Sequence, residues 1–310
     1  KKEAPAADAA PRTPLPVAEE PVTSVPPGAY DCGPNCPPET ADQMRQMIPS
    51  SAPRYLPQVI AGSTDIDILT KAVAVHKNIL LLGETGLGKT TALQYVAFLR
   101  GLPYASVNLN GGTTVEDFVG MWAPKESGGF AWRDGILTKF VRYGGLLAAE
   151  EVNAASPEIL FALHGLLDDN RQLLITAKGD EPPIKAHPMF VFAATMNPAG
   201  SGRYAGTQEL NAAFQDRFHV VLEFTGQNIP RIIHDKALVT AYERIHSEIA
   251  SGQIEGILST RGLKQFLENR AAFGLDVARE IFLQKFAPGA GRTTVSNFLD
   301  EVGLSGESGK

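Results

Sequence analysis

The chain has 310 residues, of which 44% are hydrophobic and 20% are charged, and its formal net charge is -6. This length allows about two compact domains, and the lack of a long uncharged apolar run excludes a membrane-spanning protein. The acidic balance argues against a nucleic-acid groove, because such domains usually carry a basic patch. We therefore expect a soluble protein of the cytoplasm.

The segment from Lys1 to Pro53 is rich in Ala, Pro and Glu and lacks apolar periodicity, which predicts a disordered arm over residues 1–53. Its two cysteines, Cys32 and Cys36, are too few for a structural zinc site. We predict two free thiols in preference to a half-site completed by another chain. The chain begins at Lys1 without methionine or an apolar secretory core, which indicates a fragment or a processed product.

From Tyr55 onward, short apolar runs alternate with helical stretches. Strands that alternate with helices predict a parallel sheet covered on both faces, so residues 54–225 are expected to form an α/β core. The predicted strands are Asn78–Leu82, Ala105–Leu109, Leu146–Ala149, Met189–Ala194 and Val220–Phe224.

Two segments interrupt this alternation, Val115–Ile136 and Arg171–His187, and each is predicted to be a β-hairpin because turn residues lie at its centre. After about Gly226 the strand signals stop, which predicts a small helical domain over residues 226–288. Residues 289–310 are expected to be a partly disordered tail around a short helical patch. The predicted helices of the small domain are Ile229–Ile249, Arg261–Ala272 and Leu275–Phe286.

The first motif lies between a predicted strand and a predicted helix and has the spacing of a phosphate-binding loop. Its glycines let backbone N–H groups approach a phosphate, and the helix N-terminus adds partial positive charge. Lys89 is expected to reach the β- and γ-phosphates of ATP, and the Thr90 hydroxyl is expected to bind Mg²⁺. The predicted nucleotide site consists of Gly83, Glu84, Thr85, Gly86, Leu87, Gly88, Lys89, Thr90 and Thr91.

Acidic and amide side chains follow two later strands. Glu150 and Glu151 end the third strand, where ligands of open α/β sheets bind. We expect Glu150 to support Mg²⁺ and Glu151 to act on the attacking water. Asn197 ends the fourth strand and could hydrogen-bond that water. Taken alone, the glutamates would indicate a solvated acidic turn, and Asn197 with the following proline would indicate only the start of a turn.

Two arginines are further candidates. Arg217 follows a short predicted helix from Gln208 to Phe214 and precedes the fifth strand, at an edge from which it could reach a neighbouring subunit and stabilise a phosphoryl group. The alternative is a surface pair with Asp216 of little energetic consequence. Arg261 begins a lid helix, where it either contacts phosphate or belongs only to the helix cap.

Together these residues resemble the MoxR-like, dynein-related branch of AAA+ ATPases, which includes the small ATPase subunit of aerobic cobalt chelatase and activators of carboxysome and denitrification enzymes. The likeness covers about Tyr55 to Gly274 and rests on GETGLGKT, GILTKFVRYGGLLAAEEVNAASPEIL, ATMNP and GRYAGTQELNAAFQDRF. It implies an αβα core with a five-stranded parallel sheet, two inserted hairpins facing the ring pore or a partner, and a helical lid.

The resemblance also implies roles for the candidate residues. Glu151 would be the catalytic carboxylate, Asn197 sensor 1, Arg217 the arginine finger and Arg261 sensor 2. Such proteins usually form hexamers, and they commonly work with a partner that carries a von Willebrand A domain, inserting a metal or remodelling a target enzyme.

One position departs from the family, which usually has aspartate where this chain has Glu150. The longer side chain would displace the Mg²⁺ water and slow hydrolysis. Besides an ATP-driven remodelling chaperone, the sequence therefore leaves open a nucleotide-stabilised assembly ring with little turnover. A DNA- or RNA-acting motor of the phage or restriction type is a third possibility, against which the acidic composition counts.

Overall fold

The computed structural model describes residues 30–197, 210–256 and 258–305, and for Gln227 it describes the backbone alone. The strands are β1 (Val59–Ile60), β2 (Ser63–Thr64), β3 (Ile79–Leu82), β4 (Tyr104–Asn108), β5 (Gly120–Pro124), β6 (Phe130–Asp134), β7 (Gly145–Glu150), β8 (Gln172–Leu173), β9 (Ile184–Lys185), β10 (Phe190–Met196) and β11 (Val220–Glu223).

The helices of the α/β core and of the segment before it are α1 (Pro38–Gln46), α2 (Asp65–Ala74), α3 (Lys89–Arg100), α4 (Val115–Phe118), α5 (Ile136–Tyr143), α6 (Pro157–Leu167) and α7 (Ala212–Gln215). Those that follow the last strand are α8 (Ile229–Ile232), α9 (Lys236–Ala250), α10 (Thr260–Phe273), α11 (Leu275–Leu283) and α12 (Ala290–Glu301). In the described part of the chain, no helix has both the length and the apolar character needed to cross a bilayer.

Five strands form one parallel sheet in the order β11-β3-β10-β7-β4. The central strands β7 and β10 are buried along nearly their whole length because helices cover both faces of the sheet. One apolar cluster packs α5 and α6 against the sheet, and another packs α2 and α3 against the opposite face. The predicted α/β fold with its five-stranded parallel sheet is confirmed.

Two antiparallel hairpins project from this core, β5 with β6 and β8 with β9. The predicted hairpins at Val115–Ile136 and Arg171–His187 therefore form, with shorter strands than the predicted segments. They touch each other, because Trp122 Nε1 donates to the carbonyl oxygen of Ala177. Lys178 also lies 5.7 Å from the ring centroid of Trp132.

The helices after β11 bury a separate apolar cluster, which we call the lid. It extends beyond the predicted boundary at residue 288, because α12 buries Val295 and Leu299 completely. The prediction of a partly disordered tail is therefore wrong for residues 290–304. Apolar side chains at helical spacing in α12 supply the burial that orders it.

The prediction of a disordered arm is wrong for residues 30–53, while residues 1–29 lie outside the described part of the chain. Helix α1 packs Met44 into the core with 2% of its surface exposed. The Tyr30 hydroxyl donates to the carbonyl oxygen of Tyr143 (2.6 Å), and the Tyr104 amide donates to that of Met47 (3.0 Å). Contacts with distant parts of the chain order a segment whose own composition lacks a strong apolar pattern.

The cysteine prediction is also corrected. Cys32 and Cys36 form a disulfide between them, so neither is a free thiol. The four-residue spacing and the turn at Gly33, where the Cys36 amide donates to the Gly33 carbonyl oxygen (3.2 Å), bring the two side chains together.

Candidate nucleotide-binding site

The phosphate-binding loop joins the end of β3 to the start of α3. Gly83, Gly86 and Gly88 all have positive φ, at 140°, 84° and 92°. At Gly83 a Cβ would lie 2.5 Å from the carbonyl oxygen of Phe224, so a side chain is excluded. The loop therefore needs glycine both for its conformation and for its close approach to the residue that follows β11.

Lys89 turns its ammonium back into this loop. Nζ donates to the carbonyl oxygens of Gly83 (2.5 Å) and Glu84 (2.9 Å) and to Oδ1 of Asn197 (3.2 Å). Burial lowers the pKa of Lys89 to about 8, and the nearby carboxylates of Glu150 and Glu151 oppose that shift. The cation is thus held at the centre of the loop, where a charge-assisted contact with phosphate is strongest.

Asn197 contacts residues from two neighbouring parts of the site, the loop after β3 and the end of β7. It follows β10, is 4% exposed, and accepts the Thr85 hydroxyl on Oδ1 at 3.4 Å in addition to Lys89. Its Nδ2 donates to Oε1 of Glu151 at 3.5 Å. The structure thus brings together the predicted loop residues, the predicted amide and one predicted carboxylate.

The two glutamates at the end of β7 point to different partners. Glu150 accepts a hydrogen bond from the Ser106 hydroxyl of β4, whereas Glu151 faces Asn197. Glu151 has φ of 55°, a left-handed conformation that is uncommon for residues other than glycine. This turn separates the two adjacent carboxylates, so each can act on a different group.

Other predicted loop residues lie just before α3 or on its first turn. Thr90 is half-buried on the first turn of α3, and its carbonyl oxygen accepts the Tyr104 hydroxyl at 3.4 Å. Thr91 is half-buried beside it, and the carbonyl oxygen of Leu87 accepts Nε2 of Gln58 at 3.5 Å. The Thr90 hydroxyl and the Glu150 carboxylate are hard oxygen donors of the kind that suits Mg²⁺.

The lid lies directly over the loop. A Cβ at Gly86 would be 2.9 Å from the Cβ of Ser259 and 3.5 Å from the backbone nitrogen of Arg261. Ser259 caps α10, whose N-terminus therefore faces the loop with its partial positive charge. The Arg261 side chain is exposed at this junction. Nε2 of His246 in α9 lies 3.4 Å from Oε2 of Glu84.

Arg217 does not join this group. It precedes β11 at the amino ends of the parallel strands, whereas the loop lies at the carboxyl end of β3, about 13 Å of strand away. Its Nε lies 2.7 Å from Oδ1 of Asp168, so the alternative pairing with Asp216 is replaced by a pair with a residue far away in sequence. The Gln208–Phe214 helix is observed as α7 (Ala212–Gln215), and Gln208 lies outside the described residues.

Residues 78–218 match the model of the AAA domain (dynein-related subfamily). Protein NorQ of Paracoccus denitrificans is 31% identical over 213 residues, which cover 69% of this chain and 74% of NorQ. The chain belongs to the MoxR-like, dynein-related AAA+ ATPases. This MoxR-like ATPase is also 26% identical over 265 residues to the aerobic cobaltochelatase subunit CobS of Sinorhizobium sp, covering 77% of this chain and 78% of CobS.

A third relative is much longer. Midasin of Giardia intestinalis is 37% identical over 157 residues, which cover 50% of this chain but 3% of midasin. The MoxR-like ATPase therefore spans a small fraction of the midasins it matches and most of the length of NorQ and CobS.

Sequence reasoning missed several residues of the site. Asn153 is 2% exposed and donates to the Asn197 carbonyl oxygen at 3.4 Å, and Ser106 contacts Glu150. Gln58 is 3% exposed and also accepts the Thr225 amide at 3.2 Å, so it fastens the segment before α2 to both the loop and the end of β11. The sequence offered one signal for these residues, the polar Asn153 two positions after Glu151. The contacts of Ser106 and Gln58 join distant segments and depend on the fold.

Proposed function

We propose that this ATPase hydrolyses ATP·Mg²⁺ in a ring of identical copies, a hexamer as is usual in its family, and uses the cycle to remodel or activate a partner protein. The observation that supports a ring is the place of Arg217. It lies at the opposite end of the sheet from its own phosphate-binding loop and is turned toward Asp168. A second copy is the straightforward source of the missing arginine.

Within one copy, the roles follow from the contacts. Lys89 would transfer its hydrogen bonds from Gly83 and Glu84 to the β- and γ-phosphates. Glu151 would polarise the attacking water, and Asn197, which contacts both Lys89 and Glu151, would hold that water in place. Arg261 at the lid edge would contact phosphate when the lid is closed.

The Mg²⁺ ion would be held by the Thr90 hydroxyl and supported by the Glu150 carboxylate. The described residues contain no cluster of three or more His, Cys, Asp or Glu able to hold a metal ion. A magnesium ion that keeps several waters and borrows ligands from the nucleotide needs no such cluster. Its chemistry would be to neutralise charge on the phosphates.

The partner is proposed to contact the projecting hairpins. Met121, Trp122 and Phe130 on β5 and β6 are exposed by 39%, 48% and 67%, an apolar surface that a partner or client could cover. CobS is named as a subunit of a chelatase, which supports a role beside a second protein. We propose a partner with a von Willebrand A domain, as the family resemblance implies.

Mixed-subunit turnover tests the proposal. Arg217→Ala should leave ATP binding nearly intact and reduce phosphate release by about 10³- to 10⁵-fold. Lys89→Ala should lose ATP binding in calorimetry. A mixture of the two should regain turnover, because the Arg217→Ala copy keeps its loop and receives the arginine of its neighbour. No rescue in rings shown by native mass spectrometry to be mixed would overturn action between copies.

The nucleotide-stabilised ring with little turnover remains the second candidate, because Glu150 is engaged by Ser106. The Glu151→Gln variant distinguishes a hydrolysing ATPase from an assembly ring with little turnover. An ATPase should lose phosphate release on this substitution while it keeps ATP binding. A parental protein that assembles with ATP, yet releases phosphate no faster than Glu151→Gln, would be the assembly ring.

A further inference from the structure

Asp168 stands directly beside the guanidinium of Arg217. It is the C-cap residue immediately after α6, and its Oδ1 lies 2.7 Å from Nε of Arg217. The approach is close but does not have hydrogen-bond geometry, so the contact is an ion pair. On the other side, Nη1 of Arg217 donates to the carbonyl oxygen of Ala213. Two protein groups therefore hold the guanidinium, one at Nε and one at Nη1.

The burial of this side chain is uneven. Nε of Arg217 is shielded from solvent, while the side chain as a whole is 23% exposed. The exposure therefore belongs to atoms other than Nε. A guanidinium carries five N–H donors in a fixed plane, so contacts at Nε and Nη1 leave further donors available to face outward.

The backbone next to Asp168 is also fixed to the backbone of Arg217. Nδ2 of Asn78 donates to the carbonyl oxygens of Leu167 and Arg217, both at 2.9 Å. Asn78 is 6% exposed and immediately precedes β3. The end of α6 and the start of the β11 segment are thus held at a set distance, which places the Asp168 carboxylate against Arg217.

We propose that Asp168 is a positioning residue that holds Arg217 in the orientation in which it reaches the nucleotide of the next copy. The inference rests on the proposed function, because it requires Arg217 to act between copies. An ion pair whose carboxylate is 46% exposed contributes little to folding. Its role is therefore to restrict where the guanidinium points, and a misplacement of about 1 Å can reduce a rate by about 100-fold.

Single variants give the first measurement. Asp168→Asn keeps the shape and removes the charge, so phosphate release should fall by about 10- to 100-fold. ATP affinity should stay the same, and the melting temperature should move by at most about 4 °C. Asp169→Asn and Asp216→Asn remove carboxylates that are also exposed and adjacent in sequence to each partner, and they should leave the rate unchanged.

Mixed rings then show in which copy Asp168 acts. In the mixture of Arg217→Ala and Lys89→Ala copies, the Lys89→Ala copy supplies the arginine. Adding Asp168→Asn to that copy should lower the rescued rate by about 10- to 100-fold. Adding Asp168→Asn to the Arg217→Ala copy should leave the rescued rate unchanged, because that copy has no arginine at position 217 to orient.

Each other outcome overturns the proposal. An equal fall in the rescued rate with Asp168→Asn in either copy would show that Asp168 supports the structure generally and does not position Arg217. No fall in either copy would show that the ion pair has no role in turnover. If the mixture without Asp168→Asn shows no rescue, the action between copies fails and the proposal fails with it. If that mixture is rescued and the rate does not depend on which copy carries Asp168→Asn, the positioning role of Asp168 is refuted while the action of Arg217 between copies stands.

Discussion

The side-chain amide of Asn197 lies between Lys89 and Glu151, with Oδ1 3.2 Å from the ammonium and Nδ2 3.5 Å from the carboxylate. One buried residue at the end of β10 thus contacts both the cation that would bind phosphate and the proposed base. The amide can serve both because it has an acceptor and a donor at opposite corners.

Asn197→Ala is expected to lower phosphate release by about 10- to 100-fold, because the water and Glu151 lose their common partner. ATP binding should persist, since Lys89 keeps two backbone acceptors. Asn197→Asp keeps the shape but places a negative charge against Lys89, so it should weaken ATP binding in calorimetry as well. Equal ATP affinity for both variants would contradict the placement of this amide.

Glu150→Asp is expected to raise the rate of phosphate release. The shorter side chain should withdraw from Ser106 and return the carboxylate to the length usual in the family. Ser106→Ala is the matched variant, because it frees Glu150 without shortening it and should shift the rate in the same direction. Titrations of Mg²⁺ at saturating ATP would check both, and a fall in rate with either variant would show that the site is adapted to the Ser106–Glu150 pair.

Acid should destabilise the protein through His187. Its Nδ1 accepts the Met189 amide at 3.1 Å, which requires the neutral ring. Burial lowers the pKa of His187, with Asp31 opposing the shift, so the folded state resists protonation more than the unfolded state does. The stabilising contribution is complete above the unfolded pKa of about 6.5 and is lost as pH falls below it.

Urea unfolding at pH 7.5 and 5.5 would measure this effect. His187→Gln should make the loss of stability between the two pH values smaller, whereas His219→Gln, at an exposed position, should leave it unchanged. Part of the loss will remain, because burial also lowers the pKa of His76 and His164. An unchanged pH dependence in His187→Gln would contradict the prediction.

Met44→Ala should lower the free energy of unfolding by about 2–5 kcal/mol, because it would leave a cavity where α1 packs on the core. Met121→Ala is the matched control. That methionine is 39% exposed on β5, and its loss should change stability by about 0.5 kcal/mol or less. Equal unfolding curves for Met44→Ala and the parent would indicate that residues 38–46 do not pack on the core in solution.

The sequence could predict those features whose pattern lies within a few neighbouring residues, and it could not predict contacts between residues far apart in the chain. The sheet and the phosphate-binding loop follow from apolar runs and from glycines only a few residues apart. The pairing of Arg217 with Asp168, and that of Ser106 with Glu150, joins residues from separate elements. Such contacts exist only once these separate elements are packed together in the fold. Helix α1 was missed for the same reason, because a few apolar side chains order it through contacts with the distant core.

The left-handed turn at Glu151 also has a consequence for evolution and engineering. A residue other than glycine held at this φ costs about 1 kcal/mol or more, and asparagine tolerates it better than glutamate does. Glu151→Asn should therefore raise the melting temperature while it removes turnover. Selection for thermal stability alone would favour the loss of this carboxylate, so a stabilised variant of this protein should be chosen with position 151 fixed and with activity measured beside stability.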